Sequence, residues 1–253
     1  MTKPISDPYI LALETSGALL SVSVRHAGKI ASLVSDEMTY GHAKDIVPTA
    51  LHALKMAGCR AEMVTHVAAG AGPGSFTGIR VALACAKGFC LAWGAKGVGV
   101  SGLQAVASCA AELGHNDNAP MLITADTRRG SLYGQFFAAG GQASGAIFEA
   151  SPAELPALRT RLLNAQQAQM PLYIGGFDDP QIASIFATEG TSLITPATAM
   201  PLDAAMIAVD AERQIISGMI TPLVPLYLAA AKLGPAKKSR PKNQHKSIPA
   251  AQG

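Results

Sequence analysis

Short apolar runs parted by single glycines open the chain. Residues 9–14, 19–25 and 29–33, separated by Gly17 and Gly28, alternate or cluster apolar side chains over strand lengths and predict three antiparallel strands. The period then changes. Ile46, Val47, Ala50, Leu51 and Leu54 recur at helical spacing over residues 44–57, with Gly58 as the stop and Pro48 acceptable only near the first turn. A strand over 64–69, a long helix over about 76–93, a short strand near Val98 and a helix over 103–113 follow. The second half starts similarly, with strands at 120–125 and 132–138 around Asp126-Thr127-Arg128-Arg129-Gly130, and another near 146–149. Helices over 154–167 and 181–188 flank a strand at 172–175, and a helix over 202–217 precedes the stretch 225–228. Strands exchanging with helices in this order place the chain in the α/β class.

The join between the strand at 64–69 and the helix at 76–93 reads GAGPGSFTGIR, residues 70–80. Gly70, Gly72, Gly74 and Gly78, with Pro73, allow backbone turns that side chains forbid, and would leave amide N–H groups at the positive end of the helix. Such a turn can hold a phosphate or another stretch of backbone, and both readings stand at this point. No Lys-Ser/Thr follows the last glycine as a Walker loop requires, and the dinucleotide spacing is absent. Ser75 is not framed as Gly-x-Ser-x-Gly, so it is not a hydrolase elbow nucleophile.

The run GPGSFTGIR, with the apolar strand before it and an alanine-rich helix and Val98-Gly99-Val100-Ser101 after it, resembles the signature of the TsaB (YeaZ) family. Other segments fall in that family's order. They are Ile10-Leu11-Ala12-Leu13-Glu14-Thr15-Ser16, His42-Ala43-Lys44-Asp45-Ile46-Val47-Pro48, Asp126-Thr127-Arg128-Arg129-Gly130-Ser131-Leu132-Tyr133 and Pro222-Leu223-Val224-Pro225-Leu226-Tyr227-Leu228. The likeness runs to about Lys232. It implies the actin, hexokinase and Hsp70-like (ASKHA) fold of two lobes, each a mixed sheet with flanking helices. Residues 1–102 would form the first lobe with the glycine-rich turn and interface helices. Residues 103–200 would form a smaller second lobe, 201–231 a return to the first, and 232–253 a basic tail.

The resemblance also implies a function. The chain would be a noncatalytic subunit of the machinery that makes N6-threonylcarbamoyladenosine in tRNA, on the adenosine 3′ of the anticodon in tRNAs reading codons that begin with A. It would stabilise the catalytic TsaD subunit and help recruit the ATPase TsaE or tRNA. ATP and magnesium would serve the complex, with no cofactor required by this subunit. In isolation a second copy could take the place of TsaD. The alternative is a stand-alone ATPase or small-molecule kinase of the same superfamily.

Composition adjusts this picture in three places. The chain has 253 residues, 49% hydrophobic and 15% charged, enough for a sizeable core and for two lobes. Charges scattered along the sequence predict no apolar run of the roughly 18 residues needed to span a bilayer, and no signal peptide or anchor. Cys59, Cys85, Cys90 and Cys109 show no Cys-x-x-Cys spacing, which fits a reducing cytoplasm. The six histidines form no His-x-x-x-His, so a helical zinc site is not supported; His42 reads as a helix start and His52 as a surface residue. The net charge of +3 is uneven. Lys232, Lys237, Lys238, Arg240, Lys242 and Lys246 carry the tail without any acid, and the remainder has fourteen basic against seventeen acidic residues. That tail reads as disordered, either a phosphate-backbone contact or a solubilising end.

Few residues carry the parts of a nucleotide enzyme. Glu14-Thr15-Ser16 is followed by Gly17-Ala18, where TsaD continues with Cys-Asp-Glu, and TsaD's paired metal-binding histidines have no counterpart. Transfer chemistry needs positioned positive charge, usually with a metal, so independent catalysis is not expected. Glu14, Asp126, Arg80 and Arg128 lie at strand ends or beside turns. With Thr15, Gly72, Gly74, Ser75 and Thr77, residues Glu14 and Arg80 make up the candidate nucleotide set. Asp126 with Arg128 or Arg129 could orient a ligand or form an ion pair that ties the turn. Ser131 stands where the family usually has a glutamate, which removes the acid-rich end of that block. The helices at 44–57 and 76–93 hold more apolar and small positions than one buried stripe requires. The resemblance makes them a partner interface, with Ile46, Ala50, Leu54, Ala82, Ala86 and Phe89 as its candidate residues.

Overall fold

In the computed structural model, which describes residues 7–38, 41–114, 118–127, 129–162, 172–176, 193–194, 201–226 and 228, the opening runs form β1 (Ile10–Glu14), β2 (Leu19–His26) and β3 (Lys29–Glu37). Then come α1 (His42–Met56), β4 (His66–Gly70), α2 (Phe76–Trp93), β5 (Lys96–Val100) and α3 (Gly102–Glu112). The second set is β6 (Met121–Asp126), β7 (Leu132–Phe137), β8 (Phe148–Ala150), α4 (Leu155–Leu162), β9 (Leu172–Gly176), β10 (Leu193–Ile194) and α5 (Ala204–Ser217). The helix expected at 181–188, the end of that at 154–167 and the basic tail lie outside the described residues. Strand β10 had no sequence expectation, and 225, 226 and 228 form no regular element.

Local chemistry sets the helix ends. Ser75 caps α2, its hydroxyl accepting from the Gly78 amide at 3.2 Å, and Gly94 ends the helix in the left-handed region that a glycine adopts without strain. Asp203 caps α5 in the same way through the Met206 amide at 3.0 Å. Helix α1 starts earlier than its apolar stripe suggests, behind Gly41, which offers no side-chain cap. Pro48 therefore lies inside α1 rather than in its first turn, a departure from the expected boundary.

The strand order is β3-β2-β1-β4-β5 in one sheet and β8-β7-β6-β9-β10 in the other. In each, the first three strands are antiparallel and the last three in spatial order, beginning with the first strand in sequence, are parallel. Every strand thus has a counterpart in the other lobe, and the repeat implied by resemblance is visible as topology.

Alternation along the strands builds the layers. Leu11, Leu13, Leu20, Val22 and Val24 pack under α1 and α2, while Ile10, Ala12, Ala68 and Val98 face the other way onto α3 and α5. Those two helices also receive Met121, Ile123, Phe137 and Tyr173 from the second sheet, so a single apolar core joins the lobes. Leu122, Phe136 and Leu172 form a smaller core with Leu155 of α4 on the outer side.

Polar pairs lock the middle layer. Arg25 reaches Glu212 of α5 at 2.8 Å and Glu112 of α3 at 3.1 Å, and Ser23 donates to the Ala204 carbonyl at 2.8 Å. Ser108 donates to Asp210 at 2.7 Å, and Gln214 joins Asp210 to the Gly99 carbonyl. Each of these groups is compensated, which polar side chains require in a low-dielectric layer. After α5 the chain runs along the edge of β5, where the Gly99 amide donates to Thr221 O at 2.8 Å. A Cβ on Gly99 would lie 2.2 Å from the Pro222 carbonyl oxygen, so the strap needs a glycine there.

Candidate functional site

The glycine-rich loop holds backbone. A Cβ on Gly78 would lie 1.9 Å from the Thr15 carbonyl oxygen, and one on Gly74 would lie 2.6 Å from that of Ser16. The Ser75 amide donates to Ser16 O at 2.8 Å, the Ala71 amide to Val100 O at 2.7 Å, and the Thr15 hydroxyl to Gly78 O at 2.7 Å. The loop is therefore stitched to the β1–β2 turn on one side and to β5 on the other. Of the two readings left open by the sequence, these contacts realise the close approach of backbone, and the amides of Ala71, Ser75 and Gly78 are occupied within the chain.

Glu14 lies beneath this joint, only 1% exposed. One carboxylate oxygen accepts from the Ser16 amide, and the other has no hydrogen-bond partner among the described residues and rests where a Cβ of Gly70 would stand. Burial pushes its carboxyl up to about 7, against the lowering effect of the Ser16 contacts. Thr15 is buried as well. Neither lines the cleft, which corrects their place in the candidate nucleotide set: the first turn of this lobe faces inward because the glycine loop covers it. Gly72 is buried and its carbonyl accepts from the Gly102 amide at 2.8 Å, and Arg80 stacks over Phe76 at 3.7 Å on the exposed face of α2.

Gly74 and Ser75 do reach an open space. Between the lobes lies a cleft of about 700 Å³ whose lobe-one wall includes these two residues, whose floor is Leu103 and Val106 of α3, and whose opposite wall carries Asp126, Arg129 and Tyr133. Arg129 donates to the Tyr133 hydroxyl at 3.0 Å and pairs with Glu149 at 3.2 Å. Ser131 donates to the same Glu149 oxygen at 2.6 Å, so a carboxylate from β8 stands beside the position where the sequence had lost one. Arg128 lies outside the described residues. Thr77 opens onto a second cavity of about 710 Å³, with Glu37, His42 and Ser75 in its wall.

The candidate interface set is also corrected. Ile46, Ala50, Leu54, Ala82, Ala86 and Phe89 are at most 8% exposed and pack on the first sheet. They are the core stripe. The excess apolar character noted from sequence is real and lies on the adjoining faces: Val47, Leu51 at 52% exposed and Met56 on α1, and Leu91 at 89% on α2. The signal was the second stripe, Val47 and Leu51, offset by one residue from the first. By length and composition α2 could cross a membrane, contrary to the reading from charge scatter, since Arg80 and Lys87 are its two charges; its inner side belongs to the lobe-one core.

Among the described residues no three His, Cys, Asp or Glu side chains gather as a metal site. Burial pushes the thiols of Cys85 and Cys109 up to about 11, which keeps them protonated and unreactive at neutral pH. The Ser75 hydroxyl is spent as a helix cap.

Two lobes of one topology with a cleft between them define the ASKHA-type architecture expected from the resemblance. The family model described as TsaD, tRNA N6-adenosine threonylcarbamoyltransferase, matches residues 34–171, more than half of the chain, and the chain belongs to that family. The likeness to TsaB read from sequence holds as well. The chain is similar to the tRNA threonylcarbamoyladenosine biosynthesis protein TsaB of Haemophilus influenzae, 32% identical over 49% of this chain and 51% of the relative. It is 30% identical to the Escherichia coli TsaB over 49% and 52% of the two chains. The matched part thus spans about half the length of these curated relatives. Among solved structures, YeaZ from Pseudomonas aeruginosa superposes with a TM-score of 0.67 at 22% identity, covering 87% of this chain and all of the other, a likeness of fold.

Proposed function

We propose that this chain is a noncatalytic subunit of the complex that makes N6-threonylcarbamoyladenosine in tRNA, and that it holds a TsaD-type catalytic subunit through the outward faces of α1 and α2. The observation that carries the reading is the closed glycine loop. In an architecture that elsewhere admits nucleotide chemistry, the first-lobe turn is filled by the chain's own backbone at Gly74 and Gly78, and its buried acid, Glu14, is sealed away from the cleft. What this lobe offers outward is apolar helix surface. Contiguous exposed apolar surface is the property of a docking face. Family membership and the names of the curated relatives support the process. Recruitment of a TsaE-type ATPase and of tRNA belongs to the same proposal, with ATP and magnesium used by the assembled complex.

The test is co-purification with the TsaD-type subunit of the same organism, using Leu51→Glu and Leu91→Glu as surface variants. A stable heterodimer that both variants lose, while keeping the parent's thermal melt, is the expected result. Ala86→Arg is unsuitable, since Ala86 is fully buried and the change would unfold the lobe. No heterodimer, with or without nucleotide, overturns the proposal. Magnesium-dependent ATP turnover by the isolated chain would instead favour the stand-alone ATPase, for which the open inter-lobe cleft is the relevant feature.

A further inference from the structure

The inter-lobe cleft is built from surfaces of different chemistry, each in its own place. Its floor is apolar, with Leu103 and Val106 of α3, and Pro73 and Phe76 continue the apolar surface onto the first-lobe wall. Among the described residues that line it, charge is confined to one cation, Arg129, and one acid, Asp126. These two stand three residues apart where β6 turns into β7. Arg129 is held by one edge. Its Nη2 donates to the Tyr133 hydroxyl at 3.0 Å and to Glu149 at 3.2 Å, and its backbone amide donates to Thr127 Oγ1 at 3.2 Å. Nε and Nη1 make no hydrogen bond among the described residues.

A guanidinium fixed by one edge loses little further freedom when its remaining donors take a carboxylate, whose two oxygens match that fork. The rest of the wall limits what may carry that carboxylate. Glu149 balances part of the Arg129 charge and Asp126 adds a second acid, so a phosphate dianion meets repulsion. The amides of Ala71, Ser75 and Gly78, which would offset it, are spent within the chain. A carboxylate joined to an ammonium matches both signs and adds no net charge. The floor asks for an apolar body, and a cleft of about 700 Å³ takes a large one. We propose that the cleft is a site for a free α-amino acid with a large apolar side chain: the carboxylate lies on Arg129, the ammonium on Asp126, and the side chain runs over Leu103 and Val106 towards Phe76. Head group and body then contact different lobes, so occupancy ties the lobes together. This site goes beyond the role assigned above to the outward helix faces and is separate from them, since neither Leu51 nor Leu91 lines the cleft.

The experiment is isothermal titration calorimetry of the full chain with L-phenylalanine and L-leucine, and with three analogues of the first. Phenylalaninamide lacks the carboxylate, N-acetylphenylalanine lacks the ammonium, and glycine lacks the side chain. The two parent amino acids are expected to bind at one site per chain, and each analogue about tenfold more weakly or worse, because each leaves one part of the wall unmatched. Arg129→Gln and Asp126→Asn are expected to weaken L-phenylalanine by a similar factor while keeping the parent's thermal melt, since both side chains are exposed. The analogues need no substitution and decide the matter even where a variant fails to fold. No binding of either amino acid, an analogue that binds as tightly as L-phenylalanine, folded variants that bind it as the parent does, or magnesium-ATP that displaces it from the cleft would overturn the proposal. Leu51→Glu, which tests the helix faces, is expected to bind L-phenylalanine unchanged, so failure of one proposal is distinguishable from failure of the other.

Discussion

The β1–β2 turn of the first lobe and the β6–β7 turn of the second occupy equivalent places in two sheets of the same topology, yet they meet opposite environments. Glu14 ends β1 and is buried; Asp126 ends β6 and is exposed on the cleft wall. The first turn is covered by a glycine loop whose Gly74 and Gly78 press on its carbonyls. The second carries Thr127, Arg129 and Ser131 in hydrogen bonds that converge with Glu149 and leave the guanidinium on the cleft wall. Equal topology therefore does not confer equal chemistry. One turn has become a structural joint, and the other remains a place where a polar ligand could meet charge.

The sharpest way to break this contrast is to force a side chain into the joint. Gly78→Ala would drive a methyl into the Thr15 carbonyl, a backbone group that cannot swing aside, and is expected to cost about 3 kcal/mol or more. Thermal denaturation would read this as a drop of roughly 10 °C. An unchanged melt would mean that the loop is not packed on the turn.

Next in size is the pH dependence of the buried acid. Glu14 has its carboxyl raised from 4.5 to about 7 by burial, so the native state keeps its proton while the unfolded chain loses it. Below pH 4.5 both states are protonated and the group adds no pH dependence. As pH rises from there through about 7, stability falls, by at most about 3 kcal/mol. Glu14→Gln mimics the protonated form and is expected to flatten this part of a denaturant-melt series between about pH 5 and 8, making the variant the more stable one at the alkaline end. Asp203, raised by its own burial, leaves a residual slope of the same sign. A slope identical to the parent's would show that Glu14 is not sealed.

The smallest effect belongs to the open turn. Gly130 has a φ of 79°, and a methyl added there would meet nothing within 4 Å, so Gly130→Ala is expected to cost about 1 kcal/mol through backbone strain alone. A loss as large as that of Gly78→Ala would remove the difference between the two turns.

Much of the fold was legible because its signals are local. The glycine-rich turn and the helical pattern after it placed α2 at about 76–93, where the structure has Phe76–Trp93 between a Ser75 cap and a Gly94 stop, and the alternation in β2 follows from which side of the sheet each residue faces. The candidate sites were less legible. Ile46, Ala50 and Leu54 form the more regular stripe on α1, and regularity marks whichever face is buried, whether in the core or under a partner. Only the packed sheet identifies it as the core stripe and Leu51 as outward. Glu14 likewise looked available at a strand end, since no local pattern shows that a loop far along the chain will cover it.

By itself the sequence determined the α/β order of elements, the backbone freedom of the glycine loop and the family signature, all of which depend on neighbours along the chain. Tertiary structure decided what the loop embraces, which stripe of α1 is free, and that Glu149 from β8 would stand beside Ser131. Those outcomes depend on contacts between residues far apart in sequence, such as Thr15 with Gly78 and Arg25 with Glu212. Burial and hydrogen bonding act through space, and only the folded chain defines which groups are neighbours there.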